Sequence, residues 1–197
     1  MKEILIATAN KHKIVEYQKM LEPYGYLIKS LSDFASLEIV EDGNSFSDNA
    51  LIKARALYDL TKVRVIADDS GLEIKALNNE PGIYSARYLG VDTPYQQKNQ
   101  IILEKLKGVK DRQARFVCAI ALVDDGEEKV FIGTFDGSIA YVAKGENGFG
   151  YDPIFYVDEY HLTAAELADE LKNRISHRGQ ALSQVLPYLL TRDKHHE

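Results

Sequence analysis

The run Ile4-Leu5-Ile6-Ala7 is short and apolar at every position. A strand with one wet face alternates apolar and polar residues, so an unbroken run marks a strand covered on both faces, as in a sheet flanked by helices. Val63 to Ala67 predicts another buried strand, and Tyr26 to Leu31 a further one. Helical patterns alternate with them. Ile14, Tyr17 and Leu21 recur at helical spacing over about Lys13 to Glu22, and Pro23 stops the run. Ser45 to Asp48 has capping-box spacing and opens a helix through about Leu60. Thr93-Pro94-Tyr95-Gln96 combines an N-cap, a proline at the first helical position and a capping glutamine, predicting a helix to Lys107 with Gly108 past its end. Ala114 to Val123 is a long β-type run, and Asp125-Gly126 predicts a hairpin into Lys129 to Phe135. Thr163-Ala164-Ala165-Glu166 caps a further predicted helix, and Gln180 to Leu190 forms the last, bent near Pro187. Early alternation and late hairpins together predict an α/β fold with a mixed sheet.

Composition narrows the function. The chain has 197 residues, a length at which roughly 70% of the unfolded surface is buried, so a core needs no staples. The single cysteine, Cys118, excludes an internal disulfide and a cysteine-based zinc cluster. Against 24 Lys and Arg stand 30 Asp and Glu, a formal charge of -6. Polymeric nucleic acid demands a strongly basic face, so no such partner is expected, whereas a small anion needs only a few local cations. No apolar run approaches the ~20 residues of a membrane helix, and the first residues lack the long apolar stretch of a signal peptide. No membrane partner is expected, and a cytoplasmic setting is the expectation.

Five segments carry candidate chemistry. Thr8-Ala9-Asn10-Lys11-His12-Lys13 joins a buried strand to a helix N-terminus, where unpaired N–H groups and the helix dipole favour a phosphate. Without glycines it is not the GxxxxGK[ST] loop, and a polar turn with a capping Asn10 uses the same residues. Asp68-Asp69-Ser70-Gly71 is expected where the strand from Val63 ends, the place where open α/β sheets bind ligands. Adjacent carboxylates want a cation or a proton, and magnesium, with Glu41 as a further oxygen ligand, suits them; a turn capped by Asp and Gly is the alternative. Asn49 and Lys53, four apart on one helix face, reach toward a common phosphate or leave Lys53 in solvent. Gly145-Glu146-Asn147-Gly148-Phe149-Gly150-Tyr151-Asp152-Pro153 puts an aromatic between two glycines, which presents the Phe149 ring for base stacking or else forms a packed turn. Lys172, His177 and Arg178 form a late basic cluster beside Ser176 and Gly179.

Six blocks in order resemble the inosine triphosphate pyrophosphatase family, the dITP/XTP pyrophosphatases. They are Ile6 to Asn10 with Lys13; Glu41, Gly43, Phe46, Asn49-Ala50 and Lys53-Ala54; Ala67 to Leu72; Pro81 to Tyr88; Gly148 to Phe155; and Ser176 to Leu182. The resemblance spans positions 6 to 182 and implies one domain over residues 1–197, with two α/β lobes around a long mixed β-sheet and a central active-site cleft. It implies hydrolysis of ITP, dITP and XTP to the monophosphate and pyrophosphate, with Mg²⁺ as cofactor and a homodimer as the usual assembly. Carried over by position, Thr8, Ala9, Asn10, Lys11, His12 and Lys13 cradle phosphates, helped by Lys53 and Ser70. Glu41 and Asp69 bind magnesium, and Asp69 takes the proton of the attacking water with Asp68 in support. Phe149, Gly150, Tyr151 and Asp152 form the base and sugar wall, completed by Lys172, His177 and Arg178. Three positions depart from the family pattern. Ala9 and His12 stand where glycine is common, and Leu171 stands where an acidic residue often precedes the lysine.

The chemistry is coherent. Cations neutralise the charge that shifts to leaving pyrophosphate, and a carboxylate deprotonates water. Hypoxanthine and xanthine carry an acceptor at the 6-position where adenine carries a donor, so donors from His177 or Arg178 favour the former. Two rivals use similar residues. A catalytically silent nucleotide sensor needs neither metal nor base. An aspartyl phosphatase uses an Asp-x-Asp order that this chain lacks, and releases orthophosphate.

Overall fold

The computed structural model describes residues 2–31 and 39–195. Among these, the strands are β1 (Lys2–Ile6), β2 (Tyr26–Ser30), β3 (Val65–Ile74), β4 (Glu80–Pro81), β5 (Gln113–Asp124), β6 (Glu127–Ile139), β7 (Phe155–Val157) and β8 (Leu162–Thr163). The helices are α1 (Lys11–Leu21), α2 (Phe46–Thr61), α3 (Tyr95–Lys105), α4 (Asp169–Ile175) and α5 (His177–His195). Strands pair in the order β2-β1-β3-β5-β6-β7-β8, with β4 alongside β3. β1 runs parallel to β2 and β3, setting Ile4 opposite Ile28 and Ile6 opposite Ile66. β4 is antiparallel to β3, and β7 to both β6 and β8. The sheet is mixed and the class is α/β, as the sequence predicts.

The chain divides into two compact units. The first comprises Met1–Asp69, Cys118–Gly133 and Gln180–Glu197; the second comprises Ser70–Val117 and Thr134–Gly179. In the first, Ile4 and Ile6 of β1 meet Tyr17 and Leu21 of α1 and Val185 and Leu189 of α5. Each helix supplies residues four apart, one stripe toward the core, and each buried aliphatic side chain stabilises by ~1.5–3 kcal/mol. In the second, Leu72 and Ile74 of β3 meet Ile102 of α3 and an aromatic group in which Phe155 lies 4.5 Å from Phe116 and 5.3 Å from Phe135.

Several boundaries differ from expectation. α1 starts at Lys11, because Asn10 already caps it. β3 continues past Ala67 to Ile74, so Asp68 to Gly71 lie within a strand rather than beyond its end. Pairing with β1 stops at Ile66, but the strand goes on to pair with β4, with Glu73 opposite Pro81. Thr93 does not cap α3; its hydroxyl donates to the Leu89 carbonyl at 2.7 Å, Pro94 takes the cap position, and the helix ends at Lys105. Thr163 lies in β8, where its N–H and hydroxyl both reach the Glu166 carboxylate and close a turn, so the helix waits until Asp169. α5 begins at His177, which puts His177 and Arg178 in its first turn.

Candidate active site

The first unit gathers the anion loop and the acids. Asn10 Oδ1 accepts the His12 N–H at 3.0 Å, and Thr8 Oγ1 accepts the Asn10 N–H at 3.2 Å, so the loop is ordered by its own side chains at the helix entry. Ala9, Asn10, Lys11 and His12 are exposed. Lys13 turns inward, with Nζ 2.9 Å from Asp68 Oδ2. Asp68 is buried, and this ammonium supplies its counter-charge.

Asp69 faces α2. Asn49 Nδ2 donates to Asp69 Oδ2 at 3.0 Å, while Asn49 Oδ1 accepts the Gly43 N–H at 2.9 Å. Both halves of this buried carboxamide are engaged, which fixes its orientation. Four residues along the same face, Lys53 Nζ lies 3.0 Å from Glu41 Oε2 and 3.8 Å from Asp69 Oδ1. Two carboxylates therefore converge on one cation. Burial pushes the Asp69 carboxyl above the ordinary aspartate range, against the opposing pull of Lys53 and the Asn49 hydrogen bond. Among the described residues no three or more His, Cys, Asp or Glu side chains gather into a metal cage. A pair of carboxylates is what magnesium takes when water and phosphates fill its other positions.

The second unit gathers the aromatic loop and the late basic residues. Asp152 Oδ2 receives the Phe149 N–H at 2.8 Å and the Lys172 ammonium at 2.5 Å. The ammonium also lies 5.5 Å from the centre of the Phe149 ring. Gly148, at φ +74°, makes this possible: a Cβ there would run into both Asp152 Oδ2 and Lys172 Nζ. The Tyr151 hydroxyl donates to the Ser85 carbonyl at 2.7 Å, and burial raises its pKa. Arg178 Nη2 donates to Ser70 Oγ at 3.1 Å, and the His177 ring stacks on Phe116 at 4.8 Å with 14° between planes. Gly179 lets α5 begin close to α4, since a Cβ would strike the Asn173 carbonyl.

Within the first unit the structure thus brings together Glu41, Lys53 and Asp69, and separately Lys13 and Asp68; both lysines rest on carboxylates. Within the second it brings together Phe149, Asp152 and Lys172, and separately Ser70 and Arg178. Sequence reading missed the clamp from Asn49 to Asp69, for which Gly43 was the available signal. It also missed Ser85, whose carbonyl accepts from the Tyr151 hydroxyl, and Asn99, whose amide donates to the Gly150 carbonyl; contacts through the backbone leave no pattern in a sequence. Leu171 packs against the second core, which accounts for an apolar residue there.

A mixed sheet flanked by helices, with acid–lysine pairs at its buried acids and an aromatic loop, defines an α/β protein of the open-sheet class. The chain belongs to the Ham1 family, whose model matches residues 4–188. It is similar to a dITP/XTP pyrophosphatase of Halalkalibacterium halodurans, 46% identical over 193 residues that cover 96% of this chain and 100% of that protein. Its fold is similar to a Ham1 protein of Coxiella burnetii, with a TM-score of 0.89, 42% identity, and coverage of 97% of this chain and 100% of that one. The Ham1 protein of Staphylococcus aureus matches with a TM-score of 0.88 at 42% identity over 97% of this chain and 100% of its own.

Proposed function

We propose that this protein hydrolyses non-standard purine nucleoside triphosphates (ITP, dITP and XTP) to the nucleoside monophosphate and pyrophosphate. The observation that carries the reading is the convergence of Glu41 and Asp69 on the ammonium of Lys53, with Asp69 made more basic by burial. Family membership and the curated name of a 46% identical relative support it.

Thr8, Asn10 and the N–H groups at the start of α1 receive phosphate oxygens, and Lys13 and Lys53 supply positive charge. Glu41 and Asp69 offer hard oxygen donors around a point already favourable to a cation, which fits magnesium. When bound, the metal neutralises phosphate charge and favours the departing pyrophosphate. Asp69 accepts the proton of the attacking water, held in orientation by Asn49, while Asp68 keeps Lys13 in place. For the nucleoside, the Phe149 ring stacks on the base, and His177 or Arg178 donates to the 6-oxo group. Residues 1–197 act as one functional domain, in the cytoplasm and as a homodimer. Among the described residues no helix is long and apolar enough to cross a membrane. The -6 charge favours a small anion over polymeric nucleic acid.

The deciding experiment is incubation with ITP and Mg²⁺ and identification of the phosphate product. IMP with pyrophosphate is expected; IDP with orthophosphate overturns the assignment.

A further inference from the structure

One face of α3 carries Tyr95, Lys98, Asn99 and Ile102, positions i, i+3, i+4 and i+7, the last three of them buried. Ile102 is an ordinary core residue. Lys98 and Asn99 are not, yet they are only 1% and 5% exposed. Burying an ammonium or a carboxamide is unfavourable unless its hydrogen bonds are made inside the protein, so what these groups hold explains their presence. Lys98 Nζ donates to the Ala86 carbonyl at 2.6 Å and lies 4.9 Å from the centre of the Tyr95 ring. Asn99 Nδ2 donates to the Gly150 carbonyl at 3.0 Å. Asn99 Oδ1 is buried and has no hydrogen-bond partner among the described residues. The side chain is thus retained for one donor, despite an acceptor left unmet. Beside it, the Tyr95 ring closes the open side of Gly150, and its edge meets Tyr151 at 5.2 Å between centroids. Tyr151 in turn donates to Ser85, the neighbour of Ala86. A single helix face grips both the Gly148–Asp152 loop and the Ser85-Ala86 turn.

We propose that Lys98 and Asn99 are positioning residues for nucleoside recognition, holding Gly150 and with it Phe149 and Asp152 in place without touching the substrate. This rests on the reading of that loop as the nucleoside wall. The test uses Asn99→Leu, which removes both amide halves together, and Lys98→Met, which keeps the stem. Expected for each is a KM for ITP raised about tenfold, the worth of one hydrogen bond. Inhibition by inorganic pyrophosphate, which reports the phosphate end alone, is expected to stay the same. Hydrogen exchange over residues 148–152 is expected to rise. An unchanged KM, unchanged loop exchange, or a KM that shifts together with pyrophosphate inhibition and melting temperature overturns the proposal. If Asn99→Leu does not fold, the same measurements on Asn99→Ser, whose side chain is too short to span to Gly150, decide it. If the wild-type protein leaves ITP intact, the preceding reading fails, while loop exchange still decides whether these residues hold the loop.

Discussion

At Asp69 two opposing influences meet on one carboxyl group. Burial favours the protonated form, and Lys53 with Asn49 favours the charged form; burial prevails, leaving a stronger proton acceptor than a surface aspartate. Asp69→Asn keeps the shape but can accept no proton, so turnover of ITP is expected to fall by about 10²–10⁴-fold with the melting temperature little changed. Near-normal steady-state turnover in the folded variant would place the base elsewhere. Phe149 makes a different kind of prediction. Its backbone N–H donates to Asp152 and its ring lies beside the Lys172 ammonium; in the function proposed above, the ring contributes by stacking on the base. Phe149→Ala is expected to weaken ITP and GTP alike, by roughly 1–3 kcal/mol, because every base has a stacking face. Comparing kcat/KM for the two substrates checks this, and a loss confined to one of them contradicts it. These candidate residues were legible because each belongs to a run of distinctive neighbours. Their internal partners were less so: Lys13 and Lys53 read as phosphate ligands, since no sequence shows that Asp68 and Glu41 come within 3.0 Å of them.

Elements with a local cause were the ones read well. Ser45 accepts the Asp48 N–H at 3.1 Å, as its capping-box spacing requires, and α2 follows. Asp125-Gly126 adopts the positive φ values of a tight hairpin, 46° and 77°. Elements with a distant cause were read short. Asp68-Asp69-Ser70-Gly71 has little intrinsic preference for a strand, yet β3 runs through it, because β3 lies between β1 and β5 in the sheet and that distant pairing outweighs local propensity. Thr93 and Thr163 both resemble caps, and both spend their hydroxyls on other partners. The Gly148–Asp152 loop offers a test at this scale. Gly148→Ala would carry a left-handed residue, costing ~1–2 kcal/mol, and would press a methyl into the Asp152–Lys172 pair. Denaturant unfolding is expected to show at least that loss, along with weaker ITP binding. Full stability would mean that the loop relaxes around the methyl.

At the scale of the whole molecule, the first unit is tied by a charge network that joins distant stretches of its chain. Arg64 meets Asp124 and Asp193, each at 2.8 Å; Arg192 meets Asp124 and Glu127; and the Tyr26 hydroxyl donates to Asp193 at 2.8 Å. Burial alone would raise the Asp193 carboxyl, but the Arg64 and Tyr26 hydrogen bonds outweigh it and hold it below the usual range. A depressed carboxylate contributes stability above its unfolded value, about 3.9, and loses it as pH falls through the folded value. Asp193→Asn is therefore expected to lower stability at pH 7 and to flatten the acid limb of the unfolding profile below about pH 4. An unaltered acid limb in urea titrations would remove Asp193 from that account. The two-unit division has a further consequence for how such a molecule can be cut, copied or recombined. The chain changes unit after Asp69, Val117, Gly133 and Gly179, so neither unit is a continuous stretch of polypeptide. No single cleavage releases one of them whole, and no single gene fragment encodes one. An ancestor of this protein could not have acquired its acid-bearing half and its aromatic-loop half by simple end-to-end fusion. Exchange of one intact unit with a relative would need several coordinated crossovers, because neither unit has a single pair of endpoints to use.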